Sequence, residues 1–273
     1  MLTISELFIY PIKSLGGIAV SSSAVTSRGF QYDRRWMLVD SNNIFITQRE
    51  FLVLALLQVS ITEEGLYIKH KLNDSSFTVP FQPQTNHSIT VTVWDDTCNA
   101  QTVSEAADKW FSEMISFSCR LVYMPDDTNR NVDSRYALNK EINSFSDAYP
   151  FLLIGQSSLD DLNSRLPEPF PINRFRPNIV FTGGEPYEED LLESFVINGI
   201  NFYGVKLCAR CPIPTINQET AVKGKEPLKT LATYRTLNNN VYFGQNLLHQ
   251  GQGSIRVGDT IQVNKRKQPV QFR

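Results

Sequence analysis

At 273 residues and 41% hydrophobic composition, the chain is long enough for one large domain or two medium ones and can build a full core. A formal charge of -2, with Lys265-Arg266-Lys267 near the end as the only basic cluster, leaves no electrostatic footprint for nucleic acid or an anionic membrane. No apolar run approaches the roughly 18 residues of a membrane span, Met1–Leu7 lacks a basic start ahead of an apolar stretch, and four cysteines are too few for a disulfide scaffold, so a cytoplasmic protein with reduced thiols is expected.

The first part of the chain reads as strand and turn. Ile4 to Tyr10 carries apolar and β-branched residues up to Pro11, which has no N–H for a ladder. Ile18, Val20, Ser22 and Ala24 continue the alternation, and Trp36 to Asp40, Ser41-Asn42-Asn43 and Ile44 to Thr47 spell a hairpin. Leu66–Lys69, Phe77–Val79 and Ile89–Val93 repeat the theme at a spacing typical of a barrel or sandwich. The first helix is expected over Ser104–Ser116, with Ala106, Ala107, Trp110, Phe111 and Met114 on its core face.

Residues 124–143 are polar and read as a connection near a domain boundary. Beyond them, Ser157-Ser158 can cap a short helix running to Leu166, and Ile179–Phe181 reads as a strand. Phe195–Ile197, Asn198-Gly199 and Ile200–Phe202 form the strongest hairpin signal, since both turn residues favour positive φ. Ser254–Val257, Gly258-Asp259 and Thr260–Val263 repeat that style.

The chemistry concentrates in Leu207-Cys208-Ala209-Arg210-Cys211-Pro212-Ile213-Pro214-Thr215. A structural zinc site needs four ligands, and Cys98, Cys119, His70, His87 and His249 show no second ligand pair. A thioredoxin-like dithiol expects the pair to open a helix in a βαβ unit, whereas a hairpin strand leads in here and two prolines follow. A buried inert pair is the plain alternative. Arg210 would lower a neighbouring thiol pKa, and the prolines stiffen the backbone, which together describe a thiolate presented from a rigid loop.

Six stretches in order carry more information than this pair alone: Tyr10-Pro11-Ile12-Lys13-Ser14, Tyr32-Asp33-Arg34-Arg35-Trp36, Thr47-Gln48-Arg49, Phe145 to Pro150, Asn173 to Asn178 and Cys208 to Cys211. The combination resembles the MOSC-domain molybdenum proteins, and more closely the amidoxime-reducing component and its bacterial relatives, over about residues 3–263. The resemblance implies an α+β, mainly β chain with few helices. A β-barrel-rich N-terminal domain (1–122) would precede a MOSC β-barrel domain (123–273), with a molybdenum cofactor (Mo-molybdopterin) between them.

Residue by residue, the resemblance makes Cys211 the metal ligand; Cys208, a spare thiol beside that site, reads as structural packing. The resemblance sets Ala209 and Arg210 against the cofactor, and gives Lys13, Ser14, Arg34, Arg176 and Asn178 to its pterin and phosphate. Arg35 rivals Arg34, and Arg49 reads equally as a surface cation. Gln245 and Asn246, in Phe243-Gly244-Gln245-Asn246, match a stretch near the cofactor. Asp147 matches a family aspartate near the metal, where it would serve as general acid; a turn cap is its plain alternative. The cofactor's soft metal and phosphate call for one thiolate plus cationic and amide donors, and these residue types supply both.

The implied activity is reduction of small N-hydroxylated compounds such as amidoximes, hydroxylamines and N-hydroxylated bases. No plant-type C-x4-C-x2-C ferredoxin motif and no G-x-G-x-x-G occurs, so electrons are expected from a separate ferredoxin, cytochrome or flavin reductase, with no nucleic-acid or membrane partner. A carrier or transfer protein for the cofactor or for sulfur is the alternative from another class, and a zinc-binding β protein a third.

Overall fold

The computed structural model describes residues 1–272, leaving Arg273, the end of the expected second domain, outside the described residues. Seven strands close a barrel in the order Phe151–Gly155, Ile179–Thr182, Leu2–Ile9, Thr260–Arg266, Leu192–Ile197, Ile200–Ala209 and Asn240–Gln250, and the last pairs back onto the first through Phe151↔Leu247. One stave is thus the first strand of the chain, antiparallel to Ile179–Thr182 and Thr260–Arg266.

The barrel core is legible in the side-chain alternation. Leu2, Ile4, Leu7 and Ile9 pack with Phe151, Leu153, Ile179, Phe181, Phe195 and Phe202. The inward phase moves from even to odd residues within the first strand because its register shifts between Ile4 and Glu6, where a bulge adds one residue. Gly204 is required for closure: a Cβ there would lie 2.1 Å from the Leu192 carbonyl oxygen. Asn198 and Gly199 both adopt positive φ, which joins Leu192–Ile197 to Ile200–Ala209 as the sequence suggests.

The N-terminal half adds a four-stranded sheet, Trp36–Val39, Arg120–Tyr123, Asp96–Thr102 and Ser88–Val93, and a three-stranded one, Leu57–Ile61, Gly65–His70 and Ser76–Pro80. Between them lies the Glu105–Ile115 helix, capped by the Ser104 Oγ, which accepts from Ala107 N at 3.1 Å. Ala107, Phe111 and Ile115 face its core, with Trp110 and Met114 half-buried. Ala106 departs from expectation and is exposed, because the inward stripe follows the 107, 111, 115 row.

Three other local readings are corrected. Ile44–Thr47 is not a regular strand: Asp40 Oδ1 accepts from Asn42 N and Ile44 N, and Ile44 and Phe45 make isolated bridges, Val39↔Phe45 and Ile44↔Thr92. Gly253–Arg256 and Thr260–Arg266 do not pair as a hairpin; the first joins Ser22–Thr26 and the second Leu192–Ile197. The second helix spans Gln156–Ser164 with Gly155 at its N-cap, so Ser157 and Ser158 lie inside it. Residues 124–150 hold no strand or helix, in keeping with a connection, and contain the isolated bridge Asn131↔Ile142.

Ser158 has a different task. Its hydroxyl accepts from Tyr187 N and donates to Glu189 Oε2, both at 2.7 Å. Glu189 is fully buried, while neighbouring Asp190 pairs with Arg235 at 2.5 Å. Burial, with the Asp190 charge adding, pushes the Glu189 carboxyl from 4.5 up to about 8. The folded state therefore holds a proton that the unfolded chain releases above about 4.5, and stability falls as pH rises from there to about 8. Glu189→Gln keeps the shape without the ionisation. Its melting temperature relative to wild type is expected to rise between pH 5 and pH 8, measured by calorimetry at fixed ionic strength; parallel profiles would contradict the assignment.

Candidate functional site

The barrel register gathers the first group of residues. Leu7↔Ile179 and Leu153↔Ile179 place Tyr10, Asn178 and the stretch before Phe151 at the same end of three neighbouring strands. Pro11 ends the first strand, and Lys13 N donates to Trp36 O while Arg34 N donates to Tyr10 O, knitting the two loops together. Ser14, Arg34 and Arg176 all sit at positive φ (70°, 50° and 56°). Left-handed backbone costs a non-glycine residue about 1 kcal/mol or more. Three such residues in one cluster mark a site held in shape by its surroundings.

Tyr10 is the centre of this group. Its ring carries the guanidiniums of Arg34 and Arg176 at 4.2 and 4.3 Å from its centroid, and its hydroxyl donates to Pro177 O at 3.0 Å. Burial pushes that phenol up to about 12, against the pull of both arginines, so it stays protonated. Arg34 donates to Asp33 Oδ2 at 2.6 Å and Asn178 Oδ1 at 3.1 Å; Arg176 donates to Leu15 O at 2.7 Å. Burial lowers the Arg176 pKa to about 10, which leaves it charged at neutral pH. Arg35 turns away to Tyr123, Met124 and Asp126, so Arg34 is the arginine that joins the cluster.

A second group centres on an ion pair. Lys13, 5% exposed, donates from Nζ to Asp147 Oδ1 at 2.5 Å and to Phe145 O at 2.7 Å. Burial lowers the ammonium to about 8 despite the opposing pull of Asp147. For Asp147 the desolvation that would raise its pKa is outweighed by the Lys13 charge and hydrogen bond, with Trp94 and Arg49 assisting, and the carboxyl is held well below the usual range. Its side chain is 55% exposed, so one partner is buried and the other faces solvent. Buried Arg130 fixes the loop beneath by donating to the carbonyls of Ser144, Ser146 and Asp147. Trp94 Nε1 donates to Asp147 Oδ1 at 3.2 Å, and Arg49 lies over the Trp94 ring at 4.2 Å.

The cysteine loop meets the Asn173–Asn178 stretch through Arg210. Ala209 pairs with Tyr242 at the end of the Ile200–Ala209 strand, and Arg210 then donates to Phe175 O at 2.8 Å and to Cys208 Sγ at 3.1 Å. Cys208 packs against the Phe175 and Phe243 cluster, and burial raises its pKa in spite of Arg210. Cys211 is half-buried and makes no hydrogen bond among the described residues. The two sulfurs are therefore unlike: one is bound into the fold and the other is free. Among the described residues no three His, Cys, Asp or Glu side chains are placed to hold a metal ion, so a zinc knuckle lacks its donors.

The remaining sequence candidates are less closely joined. Gln245 is fully buried beside Gly204, its Oε1 without a partner, and no hydrogen bond ties it to the cations. Asn246 pairs with Leu152, whose N–H donates to Asn178 Oδ1 at 3.3 Å, one step from the cluster. Ser14 is buried, and its carbonyl accepts from Gln48. Sequence reasoning passed over the roles of Tyr10 and Asp33, though both stood inside quoted motifs. It missed Trp94 and Arg130, which stood in none of the quoted motifs.

Lys13, Arg34, Arg49, Arg176 and Arg210 face two carboxylates, Asp33 and Asp147, an excess of three positive charges. Arg210 Nε is buried without an acceptor. The arrangement suits an anion with several acceptor oxygens beside a free thiol. Two cavities elsewhere, about 440 Å³ around Met1, Gly184 and Arg266 and about 310 Å³ around Asn86, Gln101 and Thr128, contain none of these groups.

Comparison with known proteins identifies both halves of the chain. Residues 1–118 match the MOSC N-terminal beta barrel domain, and residues 140–262 match the MOSC domain. The chain is 31% identical to mitochondrial amidoxime-reducing component 1 of Mus musculus, covering 95% of this chain and 81% of that protein. It is 29% identical to the Homo sapiens protein of that name, over 95% and 82% respectively. It is also 29% identical to the molybdenum cofactor sulfurase of Oryza sativa subsp. japonica, over 97% of this chain and 35% of that protein. No helix among the described residues is long and apolar enough to cross a membrane. With both domains matched in order and a relative above 30% identity along almost its full length, this chain belongs to the MOSC family.

Proposed function

We propose that the chain is a molybdenum-cofactor-dependent oxidoreductase that reduces N-hydroxylated compounds with electrons from a separate donor protein. Membership of the MOSC family supports the molybdenum cofactor as the group for this site. The observation that carries the reading is the free Cys211 thiol in a site with three unneutralised positive charges and an acceptor-less Arg210 Nε. That donor set fits a phosphate-bearing group with a thiophilic metal. The names of the mammalian relatives point to amidoximes as the substrate class.

When bound, the cofactor supplies the two-electron chemistry of oxygen removal. Cys211 would provide the thiolate ligand. Arg34, Arg176, Arg210 and Asn178 would hold the anionic and amide-rich parts of the group, with Ser14, Ala209 and Asn246 beside them. Cleaving an N–O bond and releasing water consumes protons, and Lys13 Nζ, bonded to the solvent-facing Asp147, is the group we assign to supply one. Asp147 is ionised at neutral pH, so it acts as the counter-charge that keeps Lys13 protonated, in place of the direct general acid expected from sequence.

Protein from a cofactor-competent host is expected to carry near-stoichiometric molybdenum and to release a pterin on oxidation. Cys211→Ser should lose dye-driven hydroxylamine reduction at unchanged melting temperature, while Cys208→Ser keeps its metal and loses stability modestly; equal metal loss in both would overturn the ligand assignment. A persulfide on Cys211 without N-reduction would favour the carrier reading. The purified chain with NADH alone should be inactive, and turnover should appear on adding a ferredoxin, cytochrome or flavin reductase; robust NADH-driven turnover would contradict the proposal.

Removing the carboxylate makes a separate test of the proton assignment. Wild-type activity is expected to fall as pH rises through about 8, where Lys13 deprotonates. Asp147 holds the Lys13 pKa up, so Asp147→Asn should shift that alkaline limb to lower pH. An unshifted limb in a pH–rate profile would remove Lys13 from the proton path.

A further inference from the structure

The hairpin joining Ser88–Val93 to Asp96–Thr102 turns through Trp94 and Asp95, since Val93 pairs directly with Asp96. Trp94 has φ +58°, and Asp95 is not among the positive-φ residues. Tight two-residue hairpins of this pattern favour glycine at the first position, and a bulky aromatic there works against the fold. Its indole is 46% exposed, yet it is held: Nε1 donates to Asp147 Oδ1 at 3.2 Å, Phe45 lies at 5.3 Å between ring centroids, and Arg49 at 4.2 Å. A strained, exposed aromatic aimed at the solvent-facing member of the Lys13–Asp147 pair is a conflict between local preference and structure, and such conflicts concentrate at functional sites.

We propose that Trp94, backed by Arg49, is a specificity-determining residue: a flat platform at the rim of the site that selects planar, conjugated N-hydroxylated substrates over small aliphatic ones. The inference rests on the reductase reading for the identity of the substrate. The exposed indole offers a conjugated amidoxime a stacking face, while Asp147 and Lys13 lie within reach of the polar N-hydroxyl end. A compact substrate such as hydroxylamine has no ring to stack and gains little from the platform.

The test compares holoenzyme with Trp94→Gly and Trp94→Phe, using an aryl amidoxime and hydroxylamine as substrates. Trp94→Gly suits the backbone, so it should melt at or above wild type. Its kcat/KM ratio, aryl amidoxime over hydroxylamine, should fall by roughly three- to tenfold, the range of one aromatic stacking contact, mainly through KM. Trp94→Phe, which keeps a ring but loses the bond to Asp147, should retain most of the ratio. Equal loss with both substrates, or a ratio as low in Trp94→Phe as in Trp94→Gly, would overturn the platform and leave Trp94 as an anchor of Asp147. Calorimetric binding of the aryl amidoxime separates the two readings. Binding weakened by Trp94→Gly with no turnover of either substrate refutes the reductase and keeps the platform; equal binding by wild type and Trp94→Gly refutes the platform whatever turnover shows.

Discussion

The pairing of Leu2–Ile9 into a barrel whose other staves lie beyond residue 150 is the constraint on which the site depends. Without it, Tyr10, Lys13 and Arg34 would belong to one half of the chain and Arg176, Asn178 and the cysteine loop to the other. With it, Leu7 lies against Ile179 and both loop groups leave adjacent strand ends. The bulge at Ile4/Glu6 keeps Leu7 and Ile9 in the core, where ordinary alternation would have turned them outward. The hydrophobic pattern of a single strand thus fixes the placement of polar residues more than 130 positions apart, as in the Lys13–Asp147 pair.

What the barrel assembles is electrostatically unbalanced. Two guanidiniums share the Tyr10 ring, and Arg34 lowers the Arg176 pKa as well as gripping Asn178. Bringing like charges together in a partly desolvated place opposes folding unless something anionic offsets it. Asp33 offsets only part, since it is itself buried and its pKa is raised by that burial. Together with left-handed backbone at Ser14, Arg34 and Arg176, this describes a site whose shape is maintained at the expense of stability.

Most of the fold was legible because its signals are local. Ser104 with the 107, 111, 115 stripe specifies a helix, and Asn198-Gly199 a hairpin. The terminal strands misled because Gly258-Asp259 is a turn in isolation, yet pairing with Ser22–Thr26 and Leu192–Ile197 satisfies more backbone than pairing with each other. The candidate site divides in the same way. Arg34, Arg176, Asn178 and Arg210 stood in motifs, and the structure brings them together; Gln245 stood in one too, but it lies in a continuously buried stretch of its strand, beside Gly204. Arg130 left no trace in the sequence, because its role is to donate to three backbone carbonyls, and any loop supplies carbonyls.

The two cysteines show why spacing alone says little about chemistry. Three positions apart, they receive different environments from the strand end between them. Cys208 still belongs to the ladder that runs to Ala209, so it packs against Phe175 and Phe243 and takes a hydrogen bond from Arg210. Cys211 lies past the last pairing, just before the Ile213–Thr215 turn, whose Pro214 carbonyl is held by Arg174. Arg210 separates them: it donates to Cys208 Sγ and to Phe175 O, which ties the first sulfur into the loop, while Cys211 has no hydrogen-bond partner among the described residues. A zinc knuckle or a redox dithiol would need both sulfurs in equivalent surroundings, and this strand end gives them different ones.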